Sequence, residues 1–182
     1  MRKHILIFLL IIFCTDIYSQ NFSLKTGISI SNLTSLDINQ NNNSRIGLVF
    51  GFVSETGEEN IRYSYGLLFN QKGDNSVKYN IIDLNIKGNF YFNDEISLNI
   101  GPSFGYIISG QVENQIGDFQ KIENWEEYNN RLDFNACLGM SYKINDLLTI
   151  AVSHQFGLVS VLSNSDLKTS SSVLSVSYTF DY

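Results

Sequence analysis

The chain has 182 residues, a formal net charge of −6 from 12 Lys and Arg against 18 Asp and Glu, and a mean hydropathy of −0.04. That length suits one domain, and the acidic balance argues against nucleic acid as a partner. Beyond the N-terminus no apolar run is long enough for a helical membrane span.

Arg2, Lys3 and His4 precede an unbroken apolar core from Ile5 to Phe13, and Ser19 supplies a small residue before Gln20. The pattern is that of a secretory signal peptide over residues 1–19, leaving a mature domain over residues 20–182. Cys14 follows the bulky Phe13, which does not fit a lipidation site. Cys137 is then the only mature cysteine, so no intrachain disulfide forms in the oxidising compartment that export implies.

From Phe22 onward, apolar residues recur at every second position, which is strand periodicity. Phe22, Leu24, Ile28 and Ile30 alternate with Ser23, Lys25, Gly27 and Ser29; Ile46, Leu48, Phe50 and Phe52 follow, alternating with Gly47, Val49 and Gly51. Tyr63, Tyr65, Leu67 and Phe69 carry the third stretch, and Ile82, Leu84, Ile86 and Phe90 the fourth. The fifth runs from Ile96 to Ile108, the sixth from Leu132 to Met140, the seventh from Leu148 to Phe156 and the eighth from Leu174 to Phe180. A stretch of about 11 residues at roughly 3.3 Å each, tilted near 45°, rises about 26 Å, close to the apolar band of an outer-membrane barrel.

The connections read as alternately long and short: Thr34 to Ser44, Lys72 to Lys78, Gly110 to Asn130 and Val159 to Ser172 on one side; Thr56 to Asn60, Asn93 to Glu95 and Lys143 to Asp146 on the other. Such asymmetry fits tight periplasmic turns and longer outer loops. Phe22, Tyr63, Phe92, Tyr142, Phe180 and Tyr182 gather at the periplasmic ends of the apolar face, as an aromatic girdle would. Pro102 lacks a donor and is expected to mark a bulge.

A soluble lipocalin-like barrel would show the same alternation with its apolar face turned inward. The uniformly bulky apolar face, the opposite face of Gly, Ser and Asn, and a sole tryptophan, Trp125, placed in a loop favour lipid outside. The fold expected is all-β, an eight-stranded antiparallel up-and-down transmembrane β-barrel in the outer membrane.

The segments SLKTGISISNL, YSYGLLFNQKG, IIDLNIKGNFYF, NIGPSFGYI and the terminal SVSYTF resemble the PorT-like small outer-membrane β-barrel proteins, with a more distant likeness to OmpA- and OmpX-type architecture. The resemblance runs from about Phe22 to Tyr182. Asn85 stands where many relatives carry proline, so the strand bend found in them is not expected here. These are patterns of strand and turn chemistry, and the secretion role behind the family name does not transfer on fold alone.

Catalytic signals are thin. His154, the only mature histidine, lies on the apolar face, but Phe156 follows two residues on and Ser153 points the other way, so a nucleophile is absent where it would be needed. Cys137 reads as packing. Asp83, Lys87, Arg131 and Asp133 share the small-polar face and read as an interior polar network that plugs a narrow lumen.

The longest loop holds Glu113, Asp118, Glu123, Glu126 and Glu127 with Lys121, without the spacing of a calcium loop, and reads as a solvated surface. Its Phe119, Trp125 and Tyr128 are the candidates for gripping a partner. The Asn-rich run Asn39–Asn43 reads as an outer loop tip. The chain is thus expected to be a monomeric, non-enzymatic barrel without cofactor or metal, structural or adhesive through its outer loops. The alternatives are an accessory subunit of an envelope secretion or assembly machine and, third, a lipid-modifying enzyme. Expected partners are outer-membrane lipid and lipopolysaccharide, the barrel assembly machinery through the C-terminal strand, and an envelope protein.

Overall fold

The described residues form nine strands: β1 (Asn21–Thr34), β2 (Arg45–Glu58), β3 (Ile61–Gly73), β4 (Val77–Tyr91), β5 (Ile96–Glu113), β6 (Phe119–Ile122), β7 (Leu132–Lys143), β8 (Leu148–Ser160) and β9 (Lys168–Phe180). The structure is a computed structural model and describes residues 21–34, 44–58, 60–113, 119–122, 131–161 and 167–180. The expected signal peptide, Asn39–Asn43, Trp125, Tyr128 and Tyr182 lie outside the described residues, and of Phe119 only the backbone is described.

Eight of these strands close into an antiparallel ring, and the ninth, β6, is a short hairpin partner of β5 above it. Closure comes from two ladders: β1 pairs with β9 from Phe22↔Phe180 to Thr34↔Lys168, and β4 pairs with β5. A closed ring satisfies every backbone donor and acceptor between strands and leaves no edge, the condition for β-structure in hydrocarbon.

The apolar face points outward. Ile28, Leu48, Phe50, Leu67, Phe104 and Val152 are all exposed, while Ser29, Asn70, Asp83, Ser103 and Asn135 are buried in the lumen. That orientation excludes the apolar calyx of a lipocalin-like barrel. At the periplasmic end Phe22 stacks on Phe52 and Phe180 at centroid distances of 5.3 and 6.1 Å, and Tyr63, Phe92 and Tyr142 lie exposed around the same rim. The described part of the expected girdle is therefore present.

Several strands run further than their apolar residues indicate. β3 continues to Gly73 and β4 begins at Val77, so the expected loop from Lys72 to Lys78 shrinks to a tip at residues 74–76. Asp74 Oδ1 accepts from the backbone N of Ser76 and Val77 at 2.8 and 2.6 Å, and Gly73 supplies a positive φ of 120°. The same side-chain cap recurs in the periplasmic turns, where Asn93 Oδ1 accepts from Ile96 N at 2.6 Å and Asn145 Oδ1 from Leu148 N at 2.8 Å. β9 begins at Lys168, six residues before its first large apolar side chain at Leu174.

Pro102 does not mark a bulge. The pairs Asn85↔Ser103 and Gly88↔Ile100 on either side of it keep one register, as do Gly101↔Cys137 and Pro102↔Ala136 on the other edge. The irregularity lies nearer the extracellular end, where Asn80 pairs with Ser109 but Ile81 with Ile107, leaving Ile108 as the extra residue. A missing donor costs β5 a ladder bond without forcing the strand out of register.

Candidate functional site

The lumen is layered along the barrel axis. At the extracellular end Leu33, Val77, Tyr79, Ile81, Ile107 and Val161 form a buried apolar cluster, with Tyr79 Oη 2.6 Å from Thr169 Oγ1. Beneath it Lys72, wholly buried, reaches between two wholly buried carboxylates, its Nζ 3.1 Å from Asp83 Oδ2 and 3.2 Å from Asp133 Oδ2. Asn70 Nδ2 donates to Asp83 at 3.3 Å. Toward the periplasm the lumen widens into a polar cavity of about 390 Å³.

Register explains the charged layer. Gly105 on β5 pairs with Asp83 on one side and Asp133 on the other, so the two acids flank a residue with no side chain. Lys72, inward on β3, fills the space between them. Charged groups withdrawn from water need such pairing, and the arrangement ties three strands together across the lumen. Arg45 adds a closure above it, donating from Nη1 to the carbonyl of Lys72 at 2.6 Å.

The expected network of Asp83, Lys87, Arg131 and Asp133 is thus redrawn. Asp83 and Asp133 belong to it through Lys72, a residue that the alternation places in the connection from Lys72 to Lys78. Lys87 lines the periplasmic cavity below. Arg131 leaves the lumen: it precedes β7, and its Nη1 donates to Tyr106 Oη at 2.9 Å with Cζ 5.7 Å from that outward-facing ring. A long cationic side chain at a strand end keeps its head at the polar interface while its stem lies against an aromatic surface. Cys137 is buried in the lumen beside Asn85, as packing predicts.

His154 has company that inspection of its own strand misses. Its Nδ1 lies 2.9 Å from Ser172 Oγ and its Nε2 3.2 Å from Ser170 Oγ, both on β9, and its ring packs on Phe156 at 4.3 Å. The ladder pairs His154 with Ser172 directly. Among the described residues no carboxylate bonds the imidazole; hydroxyls occupy both nitrogens. Phe119, Trp125 and Tyr128 fall where no side chain is described, so the loop candidates stand on sequence alone. Among the described residues no group of His, Cys, Asp and Glu could hold a metal ion.

A closed eight-stranded ring with a lipid-compatible exterior and a charged, plugged interior narrows the comparison to small membrane barrels. The model of the outer membrane protein beta-barrel domain family matches residues 7–180. The chain belongs to that family. As a member of it, the protein resides in the outer membrane. Its fold is similar to Neisserial surface protein A, at 9% identity over 87% of this chain and 97% of that one, with a TM-score of 0.56. It is likewise similar to Ail, the attachment invasion locus protein of Yersinia pestis in complex with the heparin analogue sucrose octasulfate, at 13% identity over 89% of this chain and 99% of that one, with a TM-score of 0.52. These likenesses concern the fold. No curated protein sequence matches the chain.

Proposed function

We propose that this outer-membrane barrel is a non-enzymatic, monomeric scaffold whose extracellular loops form an adhesion or docking surface. The observation that carries the reading is the filled lumen: above the periplasmic cavity, the Lys72 ion-pair layer and the Leu33–Tyr79–Ile107 cluster occupy the interior. A barrel body packed in this way is a poor conduit and a good support, which leaves the outer loops as the part that meets other molecules. Within the longest of them Phe119, Trp125 and Tyr128 are the anchors, since aromatic side chains supply most contact energy per residue.

The Ail structure carries a heparin analogue. Here, Glu113, Asp118, Glu123, Glu126 and Glu127 against the single Lys121 would repel a polyanion, so a neutral or cationic partner fits this loop better. The PorT-like grouping rests on the strand motifs YSYGLLFNQKG and IIDLNIKGNFYF. Lipid and lipopolysaccharide around the barrel, and recognition of β9 by the barrel assembly machinery, belong to the same reading.

The test compares attachment of cells bearing the parent protein with cells bearing Phe119→Ala, Trp125→Ala and Tyr128→Ala together. Loss of attachment at equal surface amounts supports the adhesive role, and undiminished attachment overturns it. The second reading, a subunit of an envelope secretion or assembly machine, is checked by crosslinking intact envelopes: a stoichiometric protein partner on the periplasmic side favours it over loop-mediated docking.

A further inference from the structure

The periplasm-facing cavity has a charge excess that the described residues leave unsettled. Among them, six charged side chains line it: Lys25, Glu55, Arg62, Lys87, Lys143 and Asp146. Arg62 pairs with Glu55 at 3.4 Å and Lys143 with Asp146 at 2.9 Å, both near the mouth. Lys25 and Lys87 remain. Neither ammonium makes a hydrogen bond or ion pair with a described residue, and both side chains line the same narrow cavity. Asp83 lies within electrostatic reach of Lys87, but Lys72 and Asn70 already bond its oxygens.

A third donor-bearing side chain lines the same space. Asn85 is 4% exposed, lines the cavity, and its Nδ2 has no acceptor among the described residues. Lys25 is itself only 9% exposed. Two like charges held in a narrow lumen repel more strongly than in bulk water, and a buried amide donor without an acceptor is left with its desolvation uncompensated. All three are relieved by one group that carries two negative charges and several acceptor oxygens.

We propose that this cavity binds the phosphate group of a small phosphomonoester entering from the periplasm. Lys25 and Lys87 supply the charge and Asn85 the directional hydrogen bond. A phosphomonoester carries a charge of about −1.5 to −2 with three acceptor oxygens, which matches two cations and an amide better than a carboxylate does. The cavity is large enough for a glycerol- or sugar-sized substituent, being within the usual range of small-molecule pockets of about 300 to 1,000 Å³. The site is independent of the loop-docking role, because it opens on the opposite side of the membrane. The phosphate could arrive on a soluble metabolite or on the headgroup of an inner-leaflet lipid at the barrel rim.

The experiment uses the folded barrel in phosphate-free maltoside micelles, titrated with glycerol 3-phosphate and, separately, with acetate and glycerol. Binding is followed by calorimetry and by the side-chain amide resonance of Asn85. A second arm places the barrel in bilayers with and without phosphatidic acid. Saturable binding that shifts Asn85 supports the site. A shift with glycerol 3-phosphate identifies a soluble source, and a shift with phosphatidic acid alone identifies the lipid.

Lys25→Gln and Lys87→Gln should each weaken binding about tenfold, roughly the loss of one charge-assisted hydrogen bond. Lys168→Gln, at the opposite end of the barrel, should leave it unchanged. Asn85→Asp supplies a carboxylate within the cavity and should fold normally while abolishing binding. Absence of an Asn85 response to either phosphate probe, equal binding of acetate, or parent-like affinity in the lysine variants overturns the proposal.

Discussion

Lys72 Nζ lies 3.1 Å from Asp83 Oδ2 with both side chains wholly buried, and the same ammonium reaches Asp133 Oδ2 at 3.2 Å. Removing one member of such a cluster leaves charge without compensation, whereas neutralising all of it removes the demand. Lys72→Met alone is therefore expected to destabilise the barrel by about 3 to 5 kcal/mol. The triple variant with Asp83→Asn and Asp133→Asn should recover most of that loss. Equilibrium unfolding in lipid vesicles checks the order, and a triple variant less stable than Lys72→Met would contradict it.

Gly105 makes room for this cluster. A Cβ at that position would collide first with Ile81 Cδ1 and would also stand 2.7 Å from Asp83 Oδ1. Gly105→Ala should thus push Asp83 away from Lys72 and cost about 1 to 3 kcal/mol, as overpacking does elsewhere. Gly88→Ala is the contrast, because its Cβ would meet only the Phe90 ring at 3.5 Å and the Ile100 carbonyl oxygen at 3.9 Å. Comparable stability of the two variants would show that the lumen around Asp83 yields more easily than its geometry indicates.

Alternation made the two faces and the ring legible from sequence, since each strand has one surface of Leu, Ile and Phe and another of Gly, Ser and Asn. It was less informative at strand ends, where the outward positions stop being apolar. Lys72 keeps the parity of Ser64, Gly66, Leu68 and Asn70, so extending that count by one step past Asn70 would have placed it inside. Ser170 and Ser172 keep the outward parity of Leu174 and Val176, but polar residues there look like loop. Their meeting with His154 depends on the β8–β9 register. The pairing of Lys72 with Asp133, 61 residues away, likewise follows from how the ring closes and has no local signature.

Ring closure also has a consequence for behaviour on gels. With β1 paired to β9 along thirteen residue pairs, Phe22↔Phe180 to Thr34↔Lys168, the eight-stranded ring presents no open edge to detergent. Unheated protein should therefore migrate apart from boiled protein on a denaturing gel. Proline at Ser175, whose strand pairs with Gly27 on one side and Ala151 on the other, removes a donor from the centre of that closure. The heat-dependent shift should be lost or reduced in Ser175→Pro; a parent-like shift would mean that closure survives without this bond.

Leu84 and Asn85 are neighbours on β4 that face opposite ways, Leu84 being 39% exposed on the outer surface and Asn85 only 4% exposed in the lumen. An arginine at 84 must leave water or deform the bilayer, and near mid-membrane that costs about 2 to 4 kcal/mol. Sequence alone offers Asp83 as a counter-charge for an arginine at 85, but the structure commits Asp83 to Lys72 and places Lys25 and Lys87 in the cavity instead. The informative lumen change is therefore Asn85→Asp, which should cost little or stabilise because it answers two cations. Unfolding in bilayers should rank Leu84→Arg well below the parent and Asn85→Asp near or above it. Nitroxide labels at the two positions, in a Cys137→Ser background, give the direct measure: a lipid-soluble quencher should reach position 84 far better than 85. The reverse order would mean that the lumen, and not the outer surface, holds the apolar face.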